Sequence, residues 1–557
     1  MLDMVLAAAL VSTPVEPVRI VAASETLSNA QFLVERKFAQ VPEGPFIAGG
    51  GPVLSKGDWL ILDFGRELHG SLQIGAGGRG GRGAKARIRL GESVAETMSE
   101  LVGSGGAGDP KSSATNDHAI RDDVIELPWL GRREFGPSGF RFARIDCVGD
   151  VPLQLEYVRA ISTMRRMKRR GAFKCSDERL NEVWDTAART VHLCCQDYLW
   201  DGIKRDRLVW MGDTHPETMA ILSVFGDSRV IPDSLSYMAA TTDPSTAWMN
   251  GMPTYTLWWI RNLAEWYRYT GNKRYLKKNA RYLAATFDRV VSGMSGGQWL
   301  AGTFLDWPTE NNTPGKTAGT QALALATARE TAFLAKELGD AELEAKAVSL
   351  AAELEKLDSL DPNGAKSAAA LLALAGLREP ADMFEQVLGK NGNAGVSTFY
   401  GYYMLEAMSA AGENQRALDT VREYWGAMLD MGATSFWEDF DIAWTNNAFR
   451  IDEMPVEGKK DIHGEYGDYC YVGFRHSLCH GWSAGPAAWL INHVLGIRPL
   501  DVGCRTVEVK PFLGDLEWAE GALALPKGRS VKVRVDKKPD GSLDVKIEAP
   551  EDVCVIE

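Results

Sequence analysis

The stretch Ser176–Val191, with the sequence SDERLNEVWDTAARTV, marks the point where the chain changes from strand-forming to helix-forming character. Ser176 is a good N-cap residue, and Asp177 and Glu178 follow it in the first turn, where acidic side chains suit the helix dipole. Apolar residues then recur at helical spacing. The stretch therefore predicts the first helix of a long helical region.

The helical pattern continues as far as residue 497. Periodicity and breaker residues predict about twelve helices. Short loops between consecutive helices favour antiparallel neighbours, and six such hairpins can close into a ring, an (α/α)6 barrel. The predicted helices begin near Ser176, Thr214, Ser228, Pro253, Lys273, Thr317, Asp340, Gly364, Pro380, Ser397, Asn414 and Gly481.

Before residue 170 the chain has short β-rich runs separated by glycine-rich breaks, which is typical of an all-β sandwich. After Gly496 it becomes β-rich again, and Lys537–Gly541 is a tight-turn signal between two alternating strands. The sequence therefore predicts a multidomain protein: an N-terminal β-sandwich domain over 1–165, a central all-α (α/α)6 barrel over 170–497, and a small C-terminal β domain over 498–557. The β-rich runs are Asp58–Phe64, Ala86–Leu90, Phe140–Val148, Val151–Tyr157, Thr506–Lys510, Ser530–Asp536 and Ser542–Ala549, and the breaks are Ile74–Gly83 and Val102–Pro110.

The composition is that of an ordinary globular protein, with 45% hydrophobic and 24% charged residues. A length of 557 residues predicts three or four domains. The formal net charge of -13 argues against a nucleic-acid partner, because a negative field repels phosphate backbones. No stretch approaches the ~20 apolar residues that would span a membrane. The eight cysteines contain no C-x-x-C pair, so we expect mostly buried thiols.

The N-terminus, MLDMVLAAALVSTPVEP, holds a short apolar run that resembles part of a secretion signal. Asp3 stands where such a signal has a basic region. The sequence therefore favours a cytoplasmic protein over a periplasmic or secreted one.

A charged loop between the first two predicted helices is the first candidate for chemistry. Asp201–Asp213 carries three aspartates and two arginines together with Leu208, Val209 and Trp210, apolar residues that a solvated loop does not need. Carboxylates beside arginines can hold different protonation states at one pH, as acid/base catalysis requires. The alternative is a salt-bridged connector. For Glu217, the pattern Thr214-x-x-Glu217 favours a helix capping box over catalysis.

Three further segments combine acidic, aromatic and small residues outside helical patterns. Gly432–Asp441 places Glu438 directly after Phe436 and Trp437, and Ser477–Pro486 places His480 and Trp482 at the start of the last predicted helix. Thr303–Pro308, which contains Asp306 and Trp307, is a weaker candidate. Taken singly, each segment is equally compatible with a loop that contributes aromatic residues to the core.

Together these segments resemble the bacterial α-L-rhamnosidases of glycoside hydrolase family 78. The family motif Asp-Cys-Pro-x-Arg-Asp-Glu-Arg-Leu-Gly-Trp-x-Gly-Asp is matched within Asp201–Asp213, its Thr-x-Trp-Glu by Ser435–Glu438, and its Ser-x-x-His-x-Trp-Ser-x-Gly-Pro by Ser477–Pro486. The resemblance covers roughly residues 130 to 530, and three motifs in register make it specific. It implies a β-sandwich, an (α/α)6 barrel and a C-terminal β domain in this order.

One departure from the family concerns the general acid. The family's Arg-Asp-Glu-Arg is reduced to Arg205-Asp206-Arg207, so the usual glutamate is missing. Either Asp206, Asp213 or Glu217 has taken over as the proton donor, or the protein is inactive. An aspartate can serve if burial or a nearby carboxylate raises its pKa. For Asp206 this requires Arg205 and Arg207 to point at other acids or at sugar hydroxyls.

The resemblance implies an exo-acting glycoside hydrolase that releases terminal α-L-rhamnose from an oligosaccharide or glycoside with inversion and without a metal or redox cofactor. Asp206 is the expected acid and Glu438 the expected base. The alternatives are an (α/α)6 glycosidase for another terminal sugar, or an inactive carbohydrate-binding relative. The expected substrate-binding residues are Asp201, Arg205, Trp210, Asp213, Asp306, Trp307, Trp437, His480 and Trp482.

Overall fold

A computed structural model describes residues 10–35, 50–77, 82–99 and 121–557. Asp3, the glycine-rich break Val102–Pro110 and part of the break Ile74–Gly83 lie outside these residues. The chain is a multidomain protein in which strands precede and follow a long helical region.

Within the described residues, eight N-terminal strands form one antiparallel sheet in the order β1-β8-β4-β7-β5-β6, with β2 paired to β4 and β3 to β8. Two short helices, α1 (Phe32–Glu35) and α2 (Val94–Met98), lie between the strands. The apolar side chains of the long strands form a separate core for this region. The strands are β1 Leu10–Val15, β2 Arg19–Ala23, β3 Val53–Leu54, β4 Trp59–Ala76, β5 Lys85–Gly91, β6 Asp122–Glu126, β7 Gly131–Cys147 and β8 Leu153–Arg165.

The helical region begins with α3, Glu178–Cys194, whose N-cap is Asp177 and not the expected Ser176. The Asp177 side chain accepts a hydrogen bond from the backbone of Arg179, while the Ser176 hydroxyl accepts one from the backbone of Glu517. Both groups are good acceptors at a helix start, and the contact with the C-terminal region decides between them. The remaining longer helices are α4 Thr214–Val224, α5 Val230–Thr241, α6 Pro253–Thr270, α7 Lys273–Val291, α8 Thr313–Leu338, α9 Ala341–Leu354, α10 Lys366–Leu374 and α12 Gly401–Ala410.

Shorter helical segments complete this region. Three of them continue as π-helical turns, over Phe384–Leu388, Val421–Trp425 and Leu490–Val494. The helices share one extended apolar core with the C-terminal strands. The short helices are α11 Pro380–Met383, α13 Asn414–Thr420, α14 Gly426–Asp430 and α15 Pro486–Trp489, and the short strand pairs are β10 Met294–Ser295 with β11 Gln298–Trp299 and β12 Ala448–Phe449 with β13 Lys460–Asp461.

The C-terminal strands form two small sheets. One has the order β18-β17-β16-β9, and its last member, β9 (Ala172–Cys175), comes from the segment just before α3. The other has the order β14-β15-β19. The predicted helical range 170–497 thus includes a strand that belongs to the C-terminal sheet. The C-terminal strands are β14 Ile497–Pro499, β15 Thr506–Val509, β16 Trp518–Ala524, β17 Ser530–Lys537, β18 Leu543–Glu548 and β19 Cys554–Ile556.

Two general expectations can be compared with the structure. Six of the eight cysteines are buried, all eight are free, and only Cys554 is exposed, which confirms mostly buried thiols. Among the described residues, none of the helices is both long enough and apolar enough to traverse a lipid bilayer.

Candidate active site

Backbone hydrogen bonds bring the three sequence motifs together. Gly202 and His480 form an antiparallel bridge, and the His480 amide donates to the carbonyl of Phe436. The Glu438 amide donates to the carbonyl of Ser477 at 2.9 Å. Because these bonds join loops that are far apart in sequence, the functional side chains of all three motifs are held on one shared frame.

The loop after α3 closes on itself through Asp201. The buried Asp201 carboxylate accepts a hydrogen bond from the Leu208 amide at 2.9 Å. Burial and the nearby Asp206 and Asp213 carboxylates raise the pKa of Asp201 well above its usual range, against that hydrogen bond. The raised pKa of Asp201 favours its neutral form, which can donate a hydrogen bond.

A tight turn presents Asp206 at the end of this loop. The Arg207 amide donates to the carbonyl of Arg205 at 2.6 Å, and Asp206 and Arg207 both lie in the left-handed region, with φ of 52° and 54°. Aspartate tolerates this conformation better than most residues. The Arg207 side chain turns away, over the ring of Trp200 and toward the carbonyl of Pro137.

Arg205 joins the two carboxylates that sequence analysis selects as acid and base. Its Nη1 lies 2.9 Å from Asp206 Oδ1, and its Nη2 lies 2.5 Å from Glu438 Oε1. Although burial lowers it, the pKa of Arg205 is raised overall by the Glu438 and Asp206 carboxylates. Arg205 is thus a permanent cation between two acids. The condition that Arg205 should point away from Asp206 is not met, because its planar fork contacts both acids at once.

Glu438 is held firmly by its surroundings. Its side chain is 3% exposed, and its Oε2 accepts a hydrogen bond from the Ser477 amide at 3.1 Å. Its carbonyl accepts hydrogen bonds from the indole of Trp482 and the hydroxyl of Thr398. With a side chain that is 19% exposed, Asp206 is more open than Glu438.

A second chain of polar contacts runs through Asp213. Its carboxylate bonds to His480 Nε2 at 3.1 Å and accepts from the Tyr255 hydroxyl at 3.0 Å. Burial raises the pKa of Asp213, and the bonds from His480 and Tyr255 oppose this rise. His480 Nδ1 lies 3.8 Å from Glu438 Oε1. Asp213 and His480 therefore form a linked pair beside Glu438.

These side chains surround a cavity of about 170 Å³, which is small for a ligand pocket and suits a single ring. Charged groups and aromatic rings both face it, the combination that binds the hydroxyls and the apolar faces of a sugar. It is lined by Asp201, Arg205, Asp206, Trp210, Asp213, Met252, Tyr255, Phe304, Trp307, Glu438, Cys470, Tyr471, Arg475, His480 and Trp482.

Two of the expected binding residues do not line this cavity. Trp437 is completely buried and packs edge-on against Phe440 and His476, so it belongs to the core. Asp306 accepts hydrogen bonds from Thr309 and Ser397 and caps a short 3-10 turn. Burial raises the pKa of Asp306 to about 6, against those hydrogen bonds.

Glu217 also lies away from the cavity lining, and it does not form the expected capping box. The α4 N-cap is Asp213, and the Thr214 hydroxyl donates to the carbonyl of Trp210. Glu217 is fully buried, and its carboxyl oxygens accept no hydrogen bond from the described part of the chain. Burial, followed by Asp213 and Asp201, raises its pKa well above the usual range. The box fails because the helix begins one residue earlier than expected, so Thr214 is the first helical residue and not the cap.

Sequence analysis did not select several residues that line the cavity: Met252, Tyr255, Phe304, Cys470, Tyr471 and Arg475. Phe304 lies within the weak candidate segment Thr303–Pro308, and Arg475 lies two residues before Ser477. Tyr255 comes from the start of α6, where its spacing is that of a core aromatic. Of these residues, Phe304 and Arg475 could have been selected from the sequence because they lie in or next to a candidate segment.

A larger groove of about 1090 Å³ lies elsewhere, between the helical region and the C-terminal strands. Its arginines are engaged in ion pairs: Arg268 with Glu330, Arg529 with Asp552, and Arg498 with Glu508. None of the three sequence motifs contributes to its lining. The smaller cavity, where several acids converge, is therefore the candidate active site.

Comparisons with known proteins show what the chain is similar to. Residues 168–361 match the family model described as the bacterial alpha-L-rhamnosidase 6 hairpin glycosidase domain. No curated protein matches the chain by sequence. Many solved structures do resemble it in fold.

Three of these structures show how far the likeness extends. A family 78 rhamnosidase of Bacillus sp. GL1 superposes with a TM-score of 0.73 at 23% identity, over 95% of this chain and 55% of that one. A Klebsiella oxytoca rhamnosidase with bound rhamnose gives 0.65 at 21%, over 88% and 97%. The Streptomyces avermitilis α-L-rhamnosidase, in complex with L-rhamnose, gives 0.69 at 18%, over 91% and 50%. The chain thus has their fold, and it spans about half the length of the first and third.

Proposed function

We propose that the chain, whose residues 168–361 are a bacterial α-L-rhamnosidase six-hairpin glycosidase domain, is an exo-acting α-L-rhamnosidase that inverts the anomeric centre. The observation that carries the proposal is the pair of carboxylates, Asp206 and Glu438, held by one guanidinium at a cavity that suits a single ring. A cavity that holds a single ring accepts the end of a glycan chain and not its interior.

In this mechanism Asp206 protonates the departing glycosidic oxygen, and Glu438 removes a proton from the attacking water. An inverting enzyme separates its two carboxyl groups by ~6.5–9.5 Å to leave room for that water. The Arg205 guanidinium lies between the two carboxylates and keeps them from direct contact, as a separation that admits water requires. Asp201, Asp213 and His480 bind sugar hydroxyls, and the aromatic rings bind the apolar faces.

The ion pair between Arg205 and Asp206 must open before Asp206 can act as an acid, because a guanidinium favours the ionised carboxylate. Asp206 is the more exposed of the two acids bound to Arg205, so a sugar entering the cavity reaches it first. We propose that a sugar hydroxyl takes over the Arg205 Nη1 donor as the sugar enters. Asp206 then takes up a proton from water before the sugar displaces the remaining bulk water from the site. The same ion pair also favours the alternative of an inactive carbohydrate-binding relative.

We also propose that the helical region is an (α/α)6 barrel and that the N-terminal sheet folds into a sandwich. The pairing of β4 supports the sandwich, since its first half pairs with β2 and its second half with β8. The switch occurs at a register shift between Asp63 and Leu68, where Gly65 has a φ of 81°. Such a partner change along one strand turns a single sheet into two facing layers.

The first experiment follows hydrolysis of an aryl α-L-rhamnoside by proton NMR. We expect β-L-rhamnose to appear before mutarotation, as inversion requires. Glu438→Gln should reduce kcat by about 10²–10⁴-fold while substrate still binds, because an amide cannot accept the proton. Asp441→Asn is the matched control, since this acid lies three residues away and is exposed. Full activity in Glu438→Gln would exclude Glu438 as the base.

The second experiment tests the general acid with Asp206→Asn. Asparagine tolerates the left-handed backbone at this position, so the variant changes the chemistry and not the turn. We expect a large loss on substrates with poor leaving groups and a smaller loss on activated aryl rhamnosides, whose aglycone leaves with little protonation. Equal losses would indicate a binding role for Asp206. No loss would transfer the acid role to Asp213, and binding without hydrolysis by the wild-type protein would indicate the inactive relative.

A further inference from the structure

A cluster of buried charges lies behind the candidate active site, where the N-terminal sheet region meets the helical region. Glu92 and Glu96 come from the segment around α2, and Lys204 precedes Arg205 in the active-site loop. Arg121 and His463 complete the cluster. The side chains of Glu92, Lys204 and His463 are at most 1% exposed.

The cluster is organised around the Lys204 ammonium. Its Nζ lies 2.9 Å from Glu96 Oε1 and 3.4 Å from Glu92 Oε2, and it donates to the His476 carbonyl at 2.9 Å. Arg121 contacts the same Glu96 oxygen at 2.6 Å. A buried carboxylate is tolerated only when it is paired in this way. Burial raises the pKa of Glu92, and Lys204 and Arg121 oppose this rise.

The same side chains have the chemistry of a metal site, since ligand atoms of Glu92, Glu96 and His463 lie within 4.8 Å of one another. The Lys204 ammonium occupies the position between them. A divalent cation at that position would be repelled by Lys204 at close range. The Lys204 ammonium therefore takes the place that a metal ion would have in this cluster.

The cluster is hydrogen-bonded to the segment Ser477–Leu478, which contacts the expected base, Glu438. Glu92 Oε2 accepts a hydrogen bond from the Leu478 amide at 2.6 Å, and Glu92 Oε1 accepts one from the Ser477 hydroxyl at 3.2 Å. The Ser477 amide in turn donates to Glu438 Oε2, and the Glu438 amide donates to the Ser477 carbonyl. The Glu92 carboxylate thus holds the Ser477 hydroxyl and the Leu478 amide, next to the Ser477 backbone groups that contact Glu438.

The opposite side of Glu438 is connected to the cluster through the main chain. Lys204, anchored between the two glutamates, is followed directly by Arg205, which binds the other oxygen of Glu438. One oxygen of Glu438 is therefore oriented by Ser477, which Glu92 holds. The other is oriented by Arg205, whose chain neighbour Lys204 is paired with Glu92. A displacement of ~1 Å in such a group can reduce a catalysed rate ~10²-fold.

We propose that Glu92 is a positioning residue, by which the N-terminal sheet region orients the Glu438 carboxylate through Ser477 and Leu478. The proposal rests on the proposed function of Glu438. In Glu92→Gln, one of the two acceptor oxygens becomes an NH2 group. Either the Leu478 amide loses its acceptor, or the Ser477 hydroxyl loses its bond to Glu92 and keeps only its bond to the Cys479 carbonyl. Glu438 then loses a fixed partner while the sugar-binding groups of the cavity remain in place.

The test compares Glu92→Gln with Glu96→Gln in the full-length chain. Glu96 pairs with Lys204 at 2.9 Å and with Arg121 at 2.6 Å, whereas Glu92 lies 3.4 Å from Lys204, so Glu96→Gln removes at least as much charge pairing. Among the described residues, Ser477 and Leu478 donate hydrogen bonds to the side chain of Glu92 and not to that of Glu96. For Glu92→Gln, we expect kcat on an aryl α-L-rhamnoside to fall about 10–100-fold, with KM changed less than 3-fold. For Glu96→Gln, we expect kcat to fall less than 3-fold, although the loss of Tm is similar in the two variants. Equal losses of kcat in both variants, in proportion to Tm, would overturn the proposal.

Crystal structures of the wild type and Glu92→Gln separate this proposal from the proposed function. We expect Ser477, Leu478 and the Glu438 carboxylate to shift together by roughly 0.5–1 Å in the variant, whether or not the wild type hydrolyses rhamnosides. An unchanged Glu438 position would reject the positioning role. A wild type without rhamnosidase activity, combined with a shifted Glu438, would reject the proposed function alone.

Discussion

Sequence analysis selected Asp306 as a sugar-binding residue, but Asp306 does not line the cavity. It stands beside Trp307, which does line the cavity, yet its own carboxylate points into the protein to cap a turn. Neighbouring residues in a loop commonly face opposite sides, and no periodicity in such a segment tells which one faces the ligand. The same applies to Glu438 and Trp437, of which only the former reaches the cavity.

The raised pKa of Asp306 predicts a measurable pH dependence of stability. Its pKa is about 6 in the folded protein and 3.8 in an unperturbed chain, so between these values the folded state binds more protons than the unfolded state. The free energy of unfolding therefore decreases as pH rises from about 4 to about 6, by roughly 3 kcal/mol for this group.

Asp306→Asn tests this dependence, because asparagine is also a good cap but does not titrate. We expect urea unfolding between pH 4 and 8 to show that the variant gains stability relative to the wild type as pH rises to 6, with no further change above. Other buried acids titrate in both proteins and cancel in the difference. Parallel pH profiles would show that Asp306 has an ordinary pKa.

At the scale of single elements, most helix positions followed from local signals. Helices begin at the expected residue where a cap or a first-turn proline defines the start, as at Pro253, Lys273 and Pro380. The start of α8 is four residues earlier than Thr317, because Asn312 caps it and Pro314 fits in the first turn. Gly481 begins a 3-10 turn and not an α-helix. Tertiary hydrogen bonds from His480 and Gly481 to distant loops decide that difference, and no local pattern contains them.

Sequence analysis missed several strands, and one of them, β9, leads to a prediction about Gly521. A Cβ atom at Gly521 in β16 would lie 2.0 Å from the carbonyl oxygen of Ala172 in β9. Gly521→Val should therefore separate the two strands and cost at least ~3 kcal/mol, in the upper range of single substitutions. Glu520→Val is the control on the same strand, with a partly exposed side chain.

Thermal unfolding of both variants distinguishes a strand-specific effect from a general effect of valine. We expect a Tm decrease of more than ~5 °C for Gly521→Val and a change of less than ~2 °C for Glu520→Val. A similar Tm for the two variants would show that the β9–β16 contact contributes little to the fold.

For the whole molecule, buried polar contacts join the N-terminal sheet to the helical region. Arg141 donates to both oxygens of Asp63, at 2.9 and 3.0 Å, and also to the carbonyl of Gly432 in the segment that leads to Glu438. The order of strands and helices was predictable from composition and periodicity. These contacts were not, since they join residues 78 and 291 positions apart.

Asp63→Asn should destabilise the whole chain because it leaves a buried guanidinium without its main carboxylate. We expect a loss of about 3–5 kcal/mol in the free energy of unfolding, measured by urea denaturation. Asp150→Asn is the matched control: its pair with Lys56 is exposed, and such pairs contribute at most ~1 kcal/mol. Equal effects in the two variants would show that the Arg141 pair does not hold the regions together.

The pairing of β9 with β16 also determines the order in which the protein can be completed on the ribosome. Cys175 in β9 pairs with Ala519 in β16, which is synthesised about 340 residues later, so this pair cannot form before then. At ~5–20 residues per second this delay is roughly 20 seconds to a minute, during which the edge of β9 has no strand beside it. The helical region therefore matures before its flanking sheet closes. The sheet that contains β9 can therefore close only after the whole helical region has been synthesised.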